Sequence, residues 1–219
     1  MAVLSILAPA FAAGFSVAAS PGAVNLLGLR WGLQRGARTA LGIGLGAATV
    51  DTFYMALSLA GVLPLLAAAD WLESVLMFVG GGVLVLLGAN SVRSGYANGA
   101  REEIAPAQGT LDRAPYALGV SVTLVNPSTI AAWLAISGGI LASADLGSGG
   151  IPEGLGGALA VAGVFAGSAT WFAILAAIVA VLRKRAGEAH LRIVGIVAGG
   201  VLASLGVLLL AKGAAAVLA

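Results

Sequence analysis

One carboxyl group inside a long apolar stretch is the side chain of this sequence best placed to do chemistry. Asp51 lies about eleven residues into the apolar stretch that starts near residue 40. At ~1.5 Å per helical residue, that depth is close to the middle of a membrane. An ionised carboxylate there costs roughly 2.5–3.5 kcal/mol. We therefore expect Asp51 to face neighbouring helices and to carry a proton at rest, because burial favours the neutral form.

Two roles for Asp51 are consistent with that position. The functional role is proton coupling, or pairing with a cationic substrate. The structural alternative is a carboxyl that is hydrogen-bonded to Thr, Asn or a freed backbone N–H. Ionisable groups inside membranes are rare and usually functional, so the sequence favours the first role.

Two amide side chains lie beside prolines in other apolar stretches. Asn25 follows Pro21 by four residues, and Asn126 directly precedes Pro127. A proline inside a helix removes a backbone hydrogen bond, so we expect both helices to break at these points. An amide donates and accepts hydrogen bonds, and either asparagine is therefore a candidate ligand for a carboxylate or an ammonium. The alternative is that each satisfies peptide groups freed by the break.

The half-helices after the breaks supply a second kind of binding group. The N–H groups of Gly22, Ala23 and Val24 would open a helix whose positive end attracts anions such as the carboxylate of an amino acid. Ser128 and Thr129 are the equivalent groups after the second proline. The candidate substrate-binding residues are therefore Pro21, Gly22, Ala23, Asn25, Asn126, Pro127, Ser128 and Thr129.

The composition sets the class of protein. Of 219 residues, 60% are hydrophobic and 9% are charged, and the mean hydropathy is +1.05. A spanning helix needs roughly 20 apolar residues, and the apolar stretches reach that length. The sequence predicts an all-α membrane protein with six transmembrane helices, at about 3–28, 40–66, 71–92, 116–143, 156–182 and 193–216.

The chain divides into two weakly similar halves. Gly-Phe-Ser-Val at 14–17 precedes Pro21, and Gly-Val-Ser-Val at 119–122 precedes Pro127. Each half has three spans, an odd number, so the second half must run with opposite topology. Inverted repeats with broken helices point to a transporter's substrate site. We expect two inverted three-helix repeats, with helices 1 and 4 broken at the prolines, over 1–92 and 116–219, joined by a cytoplasmic linker at 93–115.

The charged residues predict the orientation of the chain. Carboxylates follow the second and fourth predicted spans, whereas Lys and Arg dominate after the first, third and fifth. Basic loops stay on the cytoplasmic side. We therefore expect both termini to lie outside, with the basic loops inside at Arg30, Arg35, Arg38, Arg93, Arg101, Arg113, Arg183, Lys184, Arg185 and Arg192.

The same composition excludes several chemistries. The chain has no Cys, and His190 is its one histidine, so thiol chemistry and soft-metal binding are excluded. Asp51 is the one deep carboxylate, whereas an aspartyl protease needs two. No Gly-Lys-Ser or Gly-Lys-Thr phosphate loop occurs. The net charge of +2 sits in short loops, which favours orientation signals over nucleic-acid binding. We expect no enzyme activity, no cofactor, no metal and no nucleic-acid partner.

Small and aromatic residues predict how the helices pack. Glycines four residues apart allow close helix approach, and they occur at Gly42 and Gly46, Gly163 and Gly167, and Gly195 and Gly199. Aromatic residues near span ends are typical interface anchors, namely Trp31, Trp71 and Tyr116. Trp133 and Trp171 lie deeper, and we expect them in the core, with lining of a substrate cavity as the alternative.

Four segments together resemble the LysE/RhtB type of amino acid exporter. They are Ser-Pro-Gly-Ala-Val-Asn at 20–25, Gly-Leu-Gln-Arg-Gly-Ala-Arg at 32–38, Gly46 with Asp51, and Leu-Val-Asn-Pro-Ser-Thr-Ile at 124–130. The resemblance covers most of the chain in order and spacing. It departs at Ala23, because the family often has Pro-Gly-Pro where this chain has Pro-Gly-Ala.

The resemblance implies a small six-span protein of the bacterial inner membrane, often a dimer, that exports amino acids using the proton motive force. We therefore expect a proton-coupled exporter of amino acids or related small zwitterions that works by alternating access, as a homodimer in the lipid bilayer. An exporter of an inorganic or metal ion is disfavoured, because one carboxylate offers few ligands. A scaffold or lipid-handling membrane protein would need neither paired breaks nor Asp51.

Overall fold

The computed structural model describes residues 2–61, 70–97, 114–143, 153–185 and 188–218. These ranges contain eight α-helices and no strand, so the all-α prediction is confirmed. The helices are α1 (Ala2–Ala19), α2 (Ala23–Arg35), α3 (Ala37–Leu59), α4 (Asp70–Ala97), α5 (Pro115–Leu124), α6 (Pro127–Ser143), α7 (Glu153–Arg185) and α8 (Glu188–Leu218).

Several of these helices are long and apolar enough to cross a membrane. Three qualify alone, over Ala37–Leu59, Gly154–Lys184 and Ile193–Ala215. Two bent pairs, α1 with α2 and α5 with α6, raise the number to five if each pair is one span. Helix α4 adds a shorter apolar segment, Ser74–Asn90. The described residues therefore contain three to five candidate spans, and the arrangement of six spans stays a prediction.

Both predicted helix breaks are present. Helices α1 and α2 meet at 68°, and α5 and α6 meet at 69°. Each first half ends in a tight turn, in which the Ser20 N–H donates to the Val17 carbonyl and the Asn126 N–H donates to the Thr123 carbonyl, both at 3.2 Å. Proline ends the helical hydrogen-bond pattern at both places, so two separate segments of the chain adopt nearly the same bend.

The connection between α2 and α3 differs from the prediction. The sequence predicts that the first span ends near residue 28 and that Arg30 lies in a basic loop. Instead α2 continues to Arg35, and Gly36 alone joins it to α3 with a φ of 112°. That φ is strained for residues with a side chain. Arg30 is buried within α2, because the short turn keeps the polar end of the helix packed against its neighbours.

Trp31 was expected at the membrane interface but lies in the core. Its side chain is 4% exposed, and the Arg35 guanidinium lies 4.4 Å above its ring. Because α2 continues past the predicted span end, the face carrying Trp31 turns towards α3 and α7. Tyr116, by contrast, is exposed at the start of α5, where its hydroxyl donates to Thr49 Oγ1 at 2.9 Å.

Several helix crossings depend on glycine. A Cβ on Gly14 of α1 would collide with the Val164 carbonyl of α7, and a Cβ on Gly167 of α7 would collide with the Phe11 carbonyl of α1. Such contacts leave no room for a side chain. The predicted close packing at Gly163 and Gly167 is therefore confirmed as a contact between α1 and α7.

The second crossing involves the equivalent glycines of the other half. A Cβ on Gly119 of α5 would collide with the Ile43 carbonyl of α3, and one on Gly46 would collide with the Tyr116 carbonyl. Helix α1 of the first half therefore packs on α7 of the second half, and α5 of the second half packs on α3 of the first half. Both contacts are made by the glycines of the matched segments 14–17 and 119–122. Helices α4 and α8 form a third close crossing, through Gly81, Gly88 and Gly206.

Several predicted segments lie outside the described residues. Helix α4 takes up the first part of the predicted linker at 93–115, and most of the remainder, 98–113, is outside the described ranges. The end of the second predicted span at 62–66 and most of the predicted outer loop at 144–155 are outside them as well.

Candidate functional site

Asp51 is buried between three helices and bound by two neutral donors. It lies on α3 and is 2% exposed. The indole N–H of Trp133 on α6 donates to its Oδ1, and the hydroxyl of Ser168 on α7 donates to its Oδ2, both at 2.9 Å. Trp133 and Ser168 are themselves fully buried. The prediction that Asp51 faces the bundle interior is therefore confirmed.

The partners of Asp51 were not identified from the sequence. We named Thr, Asn or a freed backbone N–H as structural partners, whereas the structure supplies Trp133 and Ser168, 82 and 117 residues away. No local pattern could identify them, because they come from helices that approach α3 only in the folded chain. Trp133 was placed in the core by its depth alone, and that placement is confirmed.

Ser168 also contacts the backbone of α1. Its hydroxyl oxygen lies 3.0 Å from the carbonyl oxygen of Gly14, in addition to its contact with Asp51. The close approach of α1 and α7 at Gly14 brings this carbonyl within reach. One buried hydroxyl therefore joins the carboxyl group on α3 to the backbone of α1.

Asn25 satisfies the backbone at the first break. Its Nδ2 donates to the carbonyls of Ala18 at 2.8 Å and Ser20 at 2.7 Å. Its Oδ1 accepts from the indole N–H of Trp171 on α7 at 2.9 Å, which fixes the orientation of the amide because an indole N–H only donates. This is the structural alternative considered for Asn25; a contact with substrate stays a prediction.

Asn126 caps the helix after the second break. Its Oδ1 accepts from the Ser128 backbone N–H at 3.1 Å and from the Ser128 hydroxyl at 2.7 Å. Its own carbonyl accepts from the Thr129 N–H at 3.1 Å. A side-chain oxygen that accepts from the first turn is a typical N-cap. The positive end of α6 is thus already satisfied by the protein, whereas α2 begins at Ala23 with no side-chain cap.

Tyr54 makes a hydrogen bond to the end of α5, the helix before the second break. Its hydroxyl donates to the carbonyl of Leu124, the last residue of α5, at 2.7 Å. Tyr54 follows Asp51 by three residues, so both side chains lie on one face of α3. In the same way Trp171 follows Ser168 by three residues on α7. One face of α3 therefore connects the buried carboxyl group to the second break through Tyr54, and one face of α7 connects it to the first break through Ser168 and Trp171.

The two breaks also meet at a small cavity. Its volume is about 10 Å³, which is about the space that one water molecule needs. It brings together Ala23, the first residue of α2, and Asn126, the cap of α6. The lining residues are Ala23, Gly80, Val83, Leu84, Val122, Val125, Asn126 and Leu209.

The arrangement around Asp51 suits a proton better than a metal ion. Both carboxyl oxygens face an N–H or O–H donor, and a hard cation prefers several oxygen ligands. Within the described ranges no three His, Cys, Asp or Glu residues come together. A carboxyl group held by neutral donors has suitable partners both when it is charged and when it is protonated.

Comparisons with known proteins give the family. Residues 15–213 match the profile of the LysE type translocator. The chain is also similar to the chemotactic transduction protein ChpE of Pseudomonas aeruginosa, with 30% identity over 182 residues, which cover 83% of this chain and 86% of that protein. No solved structure matches. The family resemblance read from the four sequence segments is confirmed, and this chain belongs to the LysE type translocator family.

Proposed function

We propose that this exporter moves amino acids or related small zwitterions out across the bacterial inner membrane, coupled to protons. Family membership makes the chain a multi-pass membrane exporter. The observation that carries the proposal further is the setting of Asp51, a buried carboxyl group with neutral hydrogen-bond partners. Tyr54, one turn along α3 from Asp51, contacts the second break, and Trp171, one turn beyond Ser168 on α7, contacts Asn25 at the first break. Such a group can gain and lose a proton, and its hydrogen bonds with Trp133 and Ser168 would change when it does.

The substrate carboxylate would bind at the start of α2. Gly22 has an extended backbone, and no side chain caps the helix that follows. Free N–H groups at a helix N-terminus attract anions. Ala23 and Asn126 line one cavity of about 10 Å³, which holds about one water molecule, so the proposal requires this cavity to widen before an amino acid contacts both residues. The predicted set of Pro21, Gly22, Ala23, Asn25, Asn126, Pro127, Ser128 and Thr129 is retained as the proposed site.

The proposed architecture is a pair of inverted three-helix repeats, 1–92 and 116–219, joined at 93–115. Two features support it. The breaks bend by nearly equal angles, 68° and 69°. The matched glycines also make equivalent contacts, since Gly14 packs on α7 of the second half and Gly119 packs on α3 of the first half. A pseudo-two-fold relation would produce both features. Alternating access would then be a movement of one half against the other around the breaks.

The orientation is also part of the proposal. Arg183 and Lys184 are exposed at the end of α7, and basic helix ends stay in the cytoplasm. Both termini would then lie outside the inner membrane. The chain would work as a homodimer, as the family resemblance implies.

The two alternatives fit the site less well. A cation exporter would need oxygen ligands where Asp51 meets an indole N–H and a hydroxyl. A scaffold or lipid-handling protein would have no use for a buried carboxyl group or for two bent helices, each of which costs stability.

Counterflow in proteoliposomes tests the proposed substrate class. The purified protein is reconstituted into vesicles loaded with one unlabelled amino acid at a time, and the entry of the labelled compound is measured. The proposal predicts transient accumulation for at least one amino acid, with protein-free vesicles as the control. Accumulation of divalent cations but of no amino acid would favour the ion-export alternative.

A further inference from the structure

We propose that Ser168 is a positioning residue that transmits the protonation state of Asp51 to helix α1; this inference rests on the proposed coupling role of Asp51. The Ser168 hydroxyl oxygen lies 2.9 Å from Asp51 Oδ2 and 3.0 Å from the Gly14 carbonyl oxygen. Both of these oxygens are acceptors when Asp51 is ionised. A serine hydroxyl carries one hydrogen, so it can make a good bond to only one of the two at a time.

A proton on Asp51 resolves this competition. The indole N–H of Trp133 points at Oδ1, and an indole N–H can only donate. Oδ1 must therefore stay an acceptor, and an added proton belongs on Oδ2. In that state Oδ2–H donates to Ser168 Oγ, and the Ser168 hydroxyl donates to the Gly14 carbonyl. All three short contacts are then proper hydrogen bonds.

Loss of the proton reverses the hydroxyl. The ionised Oδ2 is the stronger acceptor, because a hydrogen bond to a charged group is roughly twice as strong as a neutral one. The Ser168 O–H turns about its Cβ–Oγ bond towards Asp51, and the Gly14 carbonyl loses its donor. Ser168 neither gains nor loses a proton in this step; the proton arrives at and leaves from Asp51.

The contact that changes lies next to the first break. Gly14 is one turn before Ala18, whose carbonyl accepts from Asn25. Asn25 is held by Trp171, one turn beyond Ser168 on α7. Helices α1 and α7 are thus joined at two successive turns, and the bond at Gly14 exists only while Asp51 holds its proton. Deprotonation therefore loosens α1 beside the bend that the proposed transport cycle must move.

Among the described titratable side chains of these helices, Asp51 is the one that sets the direction of the Ser168 hydroxyl. Tyr54, on α3 itself, faces Asp51 and donates to Leu124. Helices α1 and α6 carry no ionisable side chain. The other described ionisable side chains of α3, of α7 and of the elements packed against them lie towards the basic helix ends that are proposed to face the cytoplasm, at Arg30 and Arg35 of α2, Arg38 of α3, Tyr116 of α5, and Arg183 and Lys184 of α7.

Infrared spectroscopy of the full chain in lipid vesicles tests the hydrogen-bond exchange without measuring transport. The C=O stretch of protonated Asp51 is assigned by its loss in Asp51→Asn. Ser168→Ala should move this band to higher frequency, because the protonated carboxyl loses its acceptor. Ser168→Thr keeps a hydroxyl and should keep the band. Thr170→Ala is the matched control, since the Thr170 hydroxyl donates only within its own helix, to Ala166. An unmoved band in Ser168→Ala would overturn the inference.

Transport separates this inference from the proposed function. The ratio of gradient-driven transport to exchange at equal pH should fall in Ser168→Ala by about tenfold, a usual size for coupling between two sites, and should not change in Thr170→Ala. A wild-type ratio in Ser168→Ala with a reduced ratio in Asp51→Asn would refute the role of Ser168 and leave the role of Asp51 intact. A wild-type ratio in Asp51→Asn would refute the proposed coupling, and the infrared result alone would then decide for Ser168.

Discussion

The indole N–H of Trp133 donates to Oδ1 of Asp51 across 2.9 Å. Both side chains are buried, and they belong to different helices: Trp133 lies on α6, which starts at the second break, and Asp51 lies on α3. The bond therefore fixes the direction of α6 after its bend relative to the buried carboxyl group. The carboxyl group that is proposed to carry the coupling proton is therefore in direct contact with a helix that the proposed transport cycle would move.

The glycine crossings predict where side chains cannot be tolerated. Gly119→Ala places a Cβ against the Ile43 carbonyl, and such overpacking costs typically 1–3 kcal/mol. We expect a lower melting temperature in detergent. Gly200→Ala is the matched control, because a Cβ there meets nothing within 4 Å and Ala in a helix gains roughly 0.5–1 kcal/mol over Gly. Equal melting temperatures for the two variants would contradict the crossing.

Asn25 offers a test of structure against binding. Asn25→Asp keeps the shape but removes both N–H donors, and it turns a carboxylate towards the Ala18 and Ser20 carbonyls. We expect severe loss of folded protein, seen as reduced yield of monodisperse protein on size exclusion. Asn25→Ala should be milder, since it leaves the carbonyls without a donor but adds no repulsion. A fully stable Asn25→Asp with altered KM only would indicate substrate binding instead.

The two prolines should not be equivalent. Pro127 is the first residue of α6, a position where proline is favoured, and the Asn126 cap keeps the helix start when Pro127 is replaced. We expect Pro127→Ala alone to lower transport less than Pro21→Ala, and Asn126→Ala combined with Pro127→Ala to abolish it. Transport rates normalised to inserted protein give the comparison. Wild-type rates in a variant that carries Pro21→Ala, Asn126→Ala and Pro127→Ala together would show that neither bend is needed.

Cysteine labelling at the two ends of α7 tests the proposed orientation of the chain in the membrane. The chain has no cysteine, so single substitutions give clean labelling. Lys184→Cys at the end of α7 should react with a membrane-impermeant maleimide only in inverted vesicles, and Gly154→Cys at its start should react in intact cells; both positions are exposed. The reverse pattern would place the termini inside.

The sequence predicts the features that depend on neighbouring residues. Pro21 and Pro127 break their helices because proline acts on its own turn, and Asp51 is buried because its surroundings are apolar. Arg30 was misplaced because hydropathy ends a span at the first charge, whereas α2 continues until Gly36 permits a turn. Ser168 was missed entirely. A serine in an apolar helix carries no signal of its partners, which come from distant parts of the chain.

Asp51→Asn gives the most direct test of the central claim, that Asp51 carries the coupling proton. The substitution keeps the shape and removes the change of charge. In proteoliposomes, Asp51→Asn should lose transport driven by a pH gradient and retain part of the exchange at equal pH. Full gradient-driven transport by Asp51→Asn would contradict a coupling role for Asp51. A parallel fall of both modes, in proportion to the folded protein, would assign Asp51 a structural role.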